Sequence, residues 1–122
     1  MPAFNFKARF AADVEWEIKH QTIRAKRKNR PRVGQQAICF TGMRTKQCRH
    51  LGTWTITAVH DVRIMSEGLL VNGGALIVSE LDALAERDGF ENYDQMSAWF
   101  EENHGLPFHG DLIIWKTEEG AA

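Results

Sequence analysis

Acidic side chains are absent from residues 18–60 of this chain. The same stretch holds ten of the 15 lysines and arginines, whereas residues 61–122 carry 13 acidic residues and three basic ones. The formal net charge is only -1, because these two halves nearly cancel. A cationic segment of this density attracts anions such as nucleotides or RNA.

Several other features are scarce, and each scarcity excludes a class of protein. No apolar run approaches the length of a membrane span, and the first residues lack the apolar region of a signal peptide. We therefore expect a single domain over residues 1–122, cytoplasmic and without membrane contact. In that compartment the two cysteines, Cys39 and Cys48, are expected to be thiols. With His50 they lack the paired spacing of common zinc sites, so we predict no metal and no cofactor.

Hydrophobic periodicity predicts an α+β fold of short strands with two helices toward the C-terminus. Apolar and polar residues alternate near residues 4–8 and 53–60, and short apolar runs lie at residues 37–40 and within 111–116; both patterns favour strands. A short helix over residues 10–18 is indicated by a four-residue repeat, and an Asn-Gly pair at residues 72–73 indicates a hairpin. The two later helices are predicted at residues 80–88 and 93–104, the first beginning at a Ser-x-x-Asp motif over residues 79–82. We expect Ile23, Cys39, Ile56, Leu84, Trp99 and Ile113 to be largely buried.

The hexapeptide of residues 19–24, Lys-His-Gln-Thr-Ile-Arg, stands at the front of the basic segment. Two-residue periodicity in an extended chain places Thr22 and Arg24 on one face. A threonine hydroxyl becomes a nucleophile when a neighbouring base takes its proton, and a lysine can be that base once like charges and burial lower its pKa. The simpler alternative is that Lys19 is a solvated cation and Thr22 an ordinary strand residue.

The Lys-x-x-x-x-Arg pattern at Lys19 and Arg24 resembles the signature of the ASCH family, Gly-x-Lys-x-x-Glu-x-Arg, with Glu17 at the Gly position and Thr22 at the Glu position. Residues 83–116 also resemble the helix and last strand of that family. The resemblance implies a small PUA-like β-barrel flanked by the two C-terminal helices. The combination Lys-x-x-Thr-Ile-Arg is similar to the subgroup of bacterial amidohydrolases that deacetylate 4-N-acetylcytidine.

This resemblance implies a catalytic set of Lys19, Thr22 and Asp88, the last in place of the subgroup's glutamate. The implied substrate is a small acylated nucleoside, and candidate substrate-binding residues are Arg24, His20, Arg44 and Lys46. Two alternatives remain open. The first is a non-catalytic RNA-binding module, and the second, the weaker of the two, is a ribonuclease. For RNA, the phosphate-binding residues would lie in the charged loop at Lys26, Arg27, Lys28, Arg30 and Arg32.

Overall fold

The computed structural model describes residues 2–116 and has an α+β architecture of seven strands and three helices. In chain order the elements are β1 (Ala3–Phe6), α1 (Ala8–Glu15), β2 (Gln21–Ala25), β3 (Gln36–Thr41), β4 (Arg49–Met65), β5 (Gly68–Val71), β6 (Gly74–Ala75), α2 (Val78–Arg87), α3 (Tyr93–His104) and β7 (Phe108–Trp115). None of these helices is long and apolar enough to span a membrane.

The long strand β4 organises the sheet. It pairs antiparallel with β3 through its first half and with β5 through its second half, while β7 runs along its other edge. Strand β1 adds in parallel to β3, and β2 adds antiparallel to β7. The predicted hairpin is confirmed: β5 and β6 flank a turn in which Asn72 and Gly73 both have positive φ, 50° and 86°.

The sheet is not closed into a barrel, because within residues 2–116 the ladders join β1 only to β3 and β2 only to β7. Side chains occupy the place where a β1–β2 ladder would form. Arg24 Nη2 donates to the carbonyl oxygen of Asn5 at 2.8 Å, and Arg27 Nη2 donates to that of Ala3 at 2.9 Å. Guanidinium groups thus satisfy β1 backbone acceptors that strand pairing would otherwise use.

The core lies between the sheet and the three helices. Of the residues expected to be buried, Ile23, Cys39, Ile56, Leu84 and Ile113 are at most 6% exposed. Trp99 is less buried than these five and packs against the edge of the core. Its ring lies at a cavity that is lined by residues of β1, α1, β2 and α3 and of the segment that follows α2.

The start of α2 differs from the prediction. The helix begins at Val78, with Ile77 as its N-cap, and not at the Ser-x-x-Asp motif. Glu80 accepts a hydrogen bond from the backbone N–H of Ile77 at 3.0 Å, which satisfies one otherwise unpaired donor of the first turn. By contrast α3 has a side-chain cap, since Asn92 Oδ1 accepts from the backbone N–H of Gln95 at 2.8 Å.

Candidate active site

A tight turn after α1 brings Lys19 into the protein interior. Glu17 adopts a positive φ of 62°, and the backbone N–H groups of Ile18 and Lys19 both donate to the carbonyl oxygen of Asp13, at 2.8 and 2.9 Å. The chain reverses there before β2 starts at Gln21. Lys19 therefore lies on a bend before the strand, as its spacing from Thr22 requires, and is 3% exposed.

The C-terminal end of α2 receives the Lys19 ammonium. Lys19 Nζ donates to the carbonyl oxygen of Asp88 at 2.7 Å and lies 3.2 Å from Asp88 Oδ1. Asp88 is the C-cap residue, so the ammonium faces the negative end of the helix dipole as well as a carboxylate. These two attractions offset part of the cost of burying a cation.

Gly89 makes this close approach possible. It follows the C-cap with a φ of 97°, a conformation that ends helices and favours glycine. A Cβ at Gly89 would lie 3.0 Å from Phe10 Cδ1 and 3.7 Å from Lys19 Cδ. The absence of a side chain there allows α1 and Lys19 to pack against the end of α2.

Thr22 is bound by Arg24 from the same face of β2, as the two-residue period predicts. Arg24 Nε donates to Thr22 Oγ1 at 2.9 Å, and Thr22 is 4% exposed. The hydroxyl oxygen thus accepts from a cation, an arrangement that stabilises negative charge on that oxygen. Within residues 2–116 no direct hydrogen bond joins Lys19 to Thr22.

A cavity of about 300 Å³ opens between these side chains, in the range of small-molecule sites. Lys19, Thr22 and Asp88 all line it, as does Arg24. Its walls are largely aromatic and are formed by Phe6, Phe10, Phe90, Trp99 and Phe100. Such walls suit a flat apolar face like that of a nucleobase.

Burial dominates the electrostatics of the two cations at the cavity. Desolvation lowers the pKa of Lys19 from its ordinary value of 10.5, and Arg24 lowers it further, while the charge and hydrogen bond of Asp88 act in the opposite direction. Desolvation and then Arg27 lower the pKa of Arg24 to about 10. Both rings beside Lys19 face its ammonium, with Nζ 5.2 Å from the centroid of Phe10 and 5.9 Å from that of Phe6.

The lining has an excess of positive charge. Among the described residues, three basic side chains line the cavity: Lys7, Lys19 and Arg24. Asp88 is the one acidic side chain in that described lining. Lys7 stands at the rim, where its Nζ donates to Asn103 Oδ1 at 2.9 Å and lies 5.1 Å from the Trp99 ring centroid. This balance favours an anion, or an oxyanion that forms during a reaction.

Three candidate substrate-binding residues do not line the cavity. His20 is half-buried, and its backbone carbonyl oxygen accepts from the backbone N–H of Trp115 at 3.1 Å. Arg44 and Lys46 are exposed on the loop between β3 and β4. Of the four candidates, the structure brings only Arg24 to the cavity that Lys19, Thr22 and Asp88 line.

The basic loop after β2 is partly neutralised by acids of the C-terminal half. Lys26 Nζ lies 2.7 Å from Asp111 Oδ1 and 2.8 Å from Asp61 Oδ1, and Arg30 Nη2 lies 2.9 Å from Asp111 Oδ1. Hydrogen bonds from Lys26 and His109 lower the pKa of Asp61 to about 2. Arg27 stacks over Phe4, at 4.5 Å from the ring centroid. Five residues were predicted to bind phosphate. Of these, Lys28 and Arg32 are exposed, and within residues 2–116 their side chains show no ion pair or ring contact.

Gln21 is a site residue that the sequence reasoning missed. It is 1% exposed, and its Nε2 donates to Asp88 Oδ1 at 3.2 Å and to the carbonyl oxygen of Leu84 at 3.4 Å. The strand period offered a signal, because residues 21 and 23 share a face and Ile23 was expected to point to the core. The aromatic walls were missed because they come from three separate elements and the loop between α2 and α3.

The described residues contain no cluster of three or more histidine, cysteine or acidic side chains that could hold a metal ion. Cys39 is buried and Cys48 exposed, both as free thiols, and burial raises the pKa of Cys39 to about 12. No protein-family model, curated protein or solved structure matches the chain.

Proposed function

We propose that this protein is an amidohydrolase of the ASCH family that removes the acyl group from 4-N-acetylcytidine or a related acylated nucleoside. One observation carries the proposal: Lys19, Thr22 and Asp88 line a single cavity although 69 positions separate the first from the last. Convergence of a hydroxyl, a buried amine and a carboxylate is what nucleophilic amide hydrolysis requires.

The reaction assigns one step to each side chain. Neutral Lys19 accepts the hydroxyl proton of Thr22 as Oγ1 attacks the acyl carbon, and Arg24 faces the negative charge that develops. The Lys19 ammonium then gives its proton to the departing 4-amino nitrogen, which leaves as cytidine when the C–N bond breaks. Water hydrolyses the acyl-threonine by the reverse sequence and releases a carboxylic acid. Asp88 holds Lys19 in place throughout.

The cavity walls support a nucleobase as the leaving group. Phe10 contacts Phe90 and Trp99 edge-on, and the Phe90 and Trp99 rings are tilted against each other, with all three centroid distances between 5.6 and 6.0 Å. They form a rigid aromatic wall beside the catalytic set, against which a planar base can stack. A base stacked there would present its exocyclic amide toward the polar end of the cavity.

The PUA-like barrel remains part of the proposal. Order along the chain supports it, since strands precede two helices and one last strand returns to the sheet. In that interpretation the β1–β2 gap, bridged by Arg24 and Arg27, is an opened seam of the barrel.

The decisive experiment is incubation of the purified protein with 4-N-acetylcytidine. We expect the ultraviolet spectrum to change to that of cytidine, with acetate released in equal amount. Cytidine methylated at the 4-amino nitrogen is the matched control, because it carries no acyl group. Unchanged 4-N-acetylcytidine after prolonged incubation at high enzyme concentration would refute the proposal.

The pH dependence follows from the burial of Lys19. The base must be neutral, and desolvation lowers its pKa from 10.5, so the fraction of neutral amine rises with pH through a value below 10.5. We expect kcat to rise with pH over that window and to level off above it. A kcat that falls with rising pH in the same window would contradict the assignment of Lys19 as the base.

A second candidate, RNA binding, is favoured by the exposed side chains of Lys28, Arg32, Arg44 and Lys46. If RNA is the ligand, each neutralised phosphate releases counterions, so affinity falls steeply with salt. Replacing Lys28 and Arg32 by glutamine is then expected to flatten the slope of log K against log salt by about two. Lys26 and Arg30 are paired with acids, so their replacement is expected to change that slope less. Absence of RNA binding at low salt would eliminate this candidate.

A further inference from the structure

The buried amide of Gln21 is placed against the carboxylate that holds Lys19. Gln21 opens β2, where it pairs with Ile114 of β7, and its side chain reaches the end of α2. There Nε2 donates to Asp88 Oδ1 at 3.2 Å and to the carbonyl oxygen of Leu84 at 3.4 Å. Both contacts are buried, away from competing water.

The same oxygen of Asp88 faces two donors. Asp88 Oδ1 lies 3.2 Å from Lys19 Nζ and 3.2 Å from Gln21 Nε2. A carboxylate oxygen that accepts from a neutral amide is stabilised as an anion and presents less unshared charge to the ammonium beside it. We infer that Gln21 is a positioning residue, which fixes the Asp88 carboxylate and limits how tightly that carboxylate holds the Lys19 proton.

The amide is suited to this task because it is a donor without charge. An apolar side chain of equal length would leave Asp88 Oδ1 to Lys19 alone, and the ammonium would be bound more tightly. In Gln21→Glu the new carboxyl shares a proton with Asp88 at low pH; once that proton is lost, the second negative charge binds the ammonium more tightly still. Activity that needs neutral Lys19 should therefore shift to higher pH in the order wild type, Gln21→Met, Gln21→Glu.

The inference rests on the proposed function for its kinetic test but not for its titration test. In kinetics, we expect Gln21→Met to lower kcat on 4-N-acetylcytidine about tenfold at neutral pH, to leave KM within twofold, and to regain activity as pH rises. The rising part of the plot of kcat against pH should move by about one pH unit in Gln21→Met and by more in Gln21→Glu. Gln47→Met, at an exposed position outside the cavity lining, is the control and should match the wild type.

The second measurement needs no substrate. Lysine labelled with ¹³C at Cε allows the Lys19 titration to be followed by NMR, identified by its loss in Lys19→Arg. We expect the Lys19 midpoint to move to higher pH in Gln21→Met and further in Gln21→Glu. If wild-type protein proves inactive, the proposed function fails while this titration still decides the role of Gln21.

Three results would overturn the inference. One is an unchanged Lys19 midpoint in both folded variants. Another is a uniform loss of kcat at every pH, which would mean that Gln21 only ties β2 to α2 through Leu84. The third is wild-type kcat at neutral pH in Gln21→Met. If Gln21→Met does not fold, Gln21→Glu alone supplies the same comparison with wild type.

Discussion

Replacing Thr22 by valine is expected to lower kcat on 4-N-acetylcytidine by about a thousandfold or more, because the nucleophile is lost while its shape is kept. The Lys19–Asp88 pair is untouched, so the protein should fold normally. Arg24 Nε loses its acceptor at 2.9 Å, which is expected to cost about 1–3 kcal/mol of stability. Steady-state kinetics and a thermal melt of the same sample separate the two effects.

Lys19→Arg tests the base in a similarly conservative way. It keeps a positive charge beside Asp88 but cannot deprotonate near neutral pH, so we expect loss of turnover comparable to that of Thr22→Val. Lys19→Met is a poorer probe, since it leaves a buried carboxylate without its cation, at a cost of about 3–5 kcal/mol. The controls are Thr57→Val and Lys28→Met, both at exposed positions outside the cavity lining. Near-normal turnover by Lys19→Arg would show that charge, not proton transfer, is what Lys19 supplies.

Gly110→Ala is expected to destabilise the fold by about 3 kcal/mol, or roughly 10 °C in Tm. Gly110 lies opposite Ala25 in the β2–β7 ladder, and a Cβ there would overlap the carbonyl oxygen of Arg24 and lie 2.9 Å from Phe108 Cε1. The backbone of one strand must move away from the other to admit a methyl group. Because Thr22 and Arg24 lie on β2, a shift of β2 relative to β7 should also lower the rate of deacylation.

Gly68→Ala is the matched control for this substitution. Gly68 is also in a strand, but a Cβ there would have no heavy atom within 4 Å. We expect its free energy of unfolding, taken from a thermal melt, to lie within about 0.5 kcal/mol of that of the wild type. Equal stability of the Gly110→Ala and Gly68→Ala variants would mean that the β2–β7 pair is looser than the structure describes.

Local patterns predicted more of this molecule than long-range ones. The strands, the Asn-Gly hairpin and the α3 boundaries follow from periods and turns that span a few residues. The start of α2 was misplaced, because Ser79 and Asp82 imitate a capping motif that Glu80 in fact supplies. Barrel closure was not predictable from periodicity, since it depends on whether β1 and β2 pair or are bridged by arginines.

The candidate site shows the same division. Lys19, Thr22 and Arg24 are within six residues, so their neighbourhood could be inferred from the sequence, and Asp88 was placed by resemblance. The charge asymmetry suggested a wide cationic surface, yet Lys26 and Arg30 are paired with Asp61 and Asp111. Such pairs join residues up to 85 positions apart, and no pattern within either segment shows them.

The placement of β7 has a consequence for synthesis of the chain on the ribosome. In the described sheet β2 pairs only with β7, and the buried carboxylate that receives Lys26 and Arg30 is also on β7. A nascent chain that ends before Phe108 therefore has β2 without a paired strand and the basic loop without Asp111. The cavity around Thr22 is therefore expected to form only after β7 emerges, and until then the cationic segment of residues 18–60 lies close to ribosomal RNA, a polyanion that attracts it.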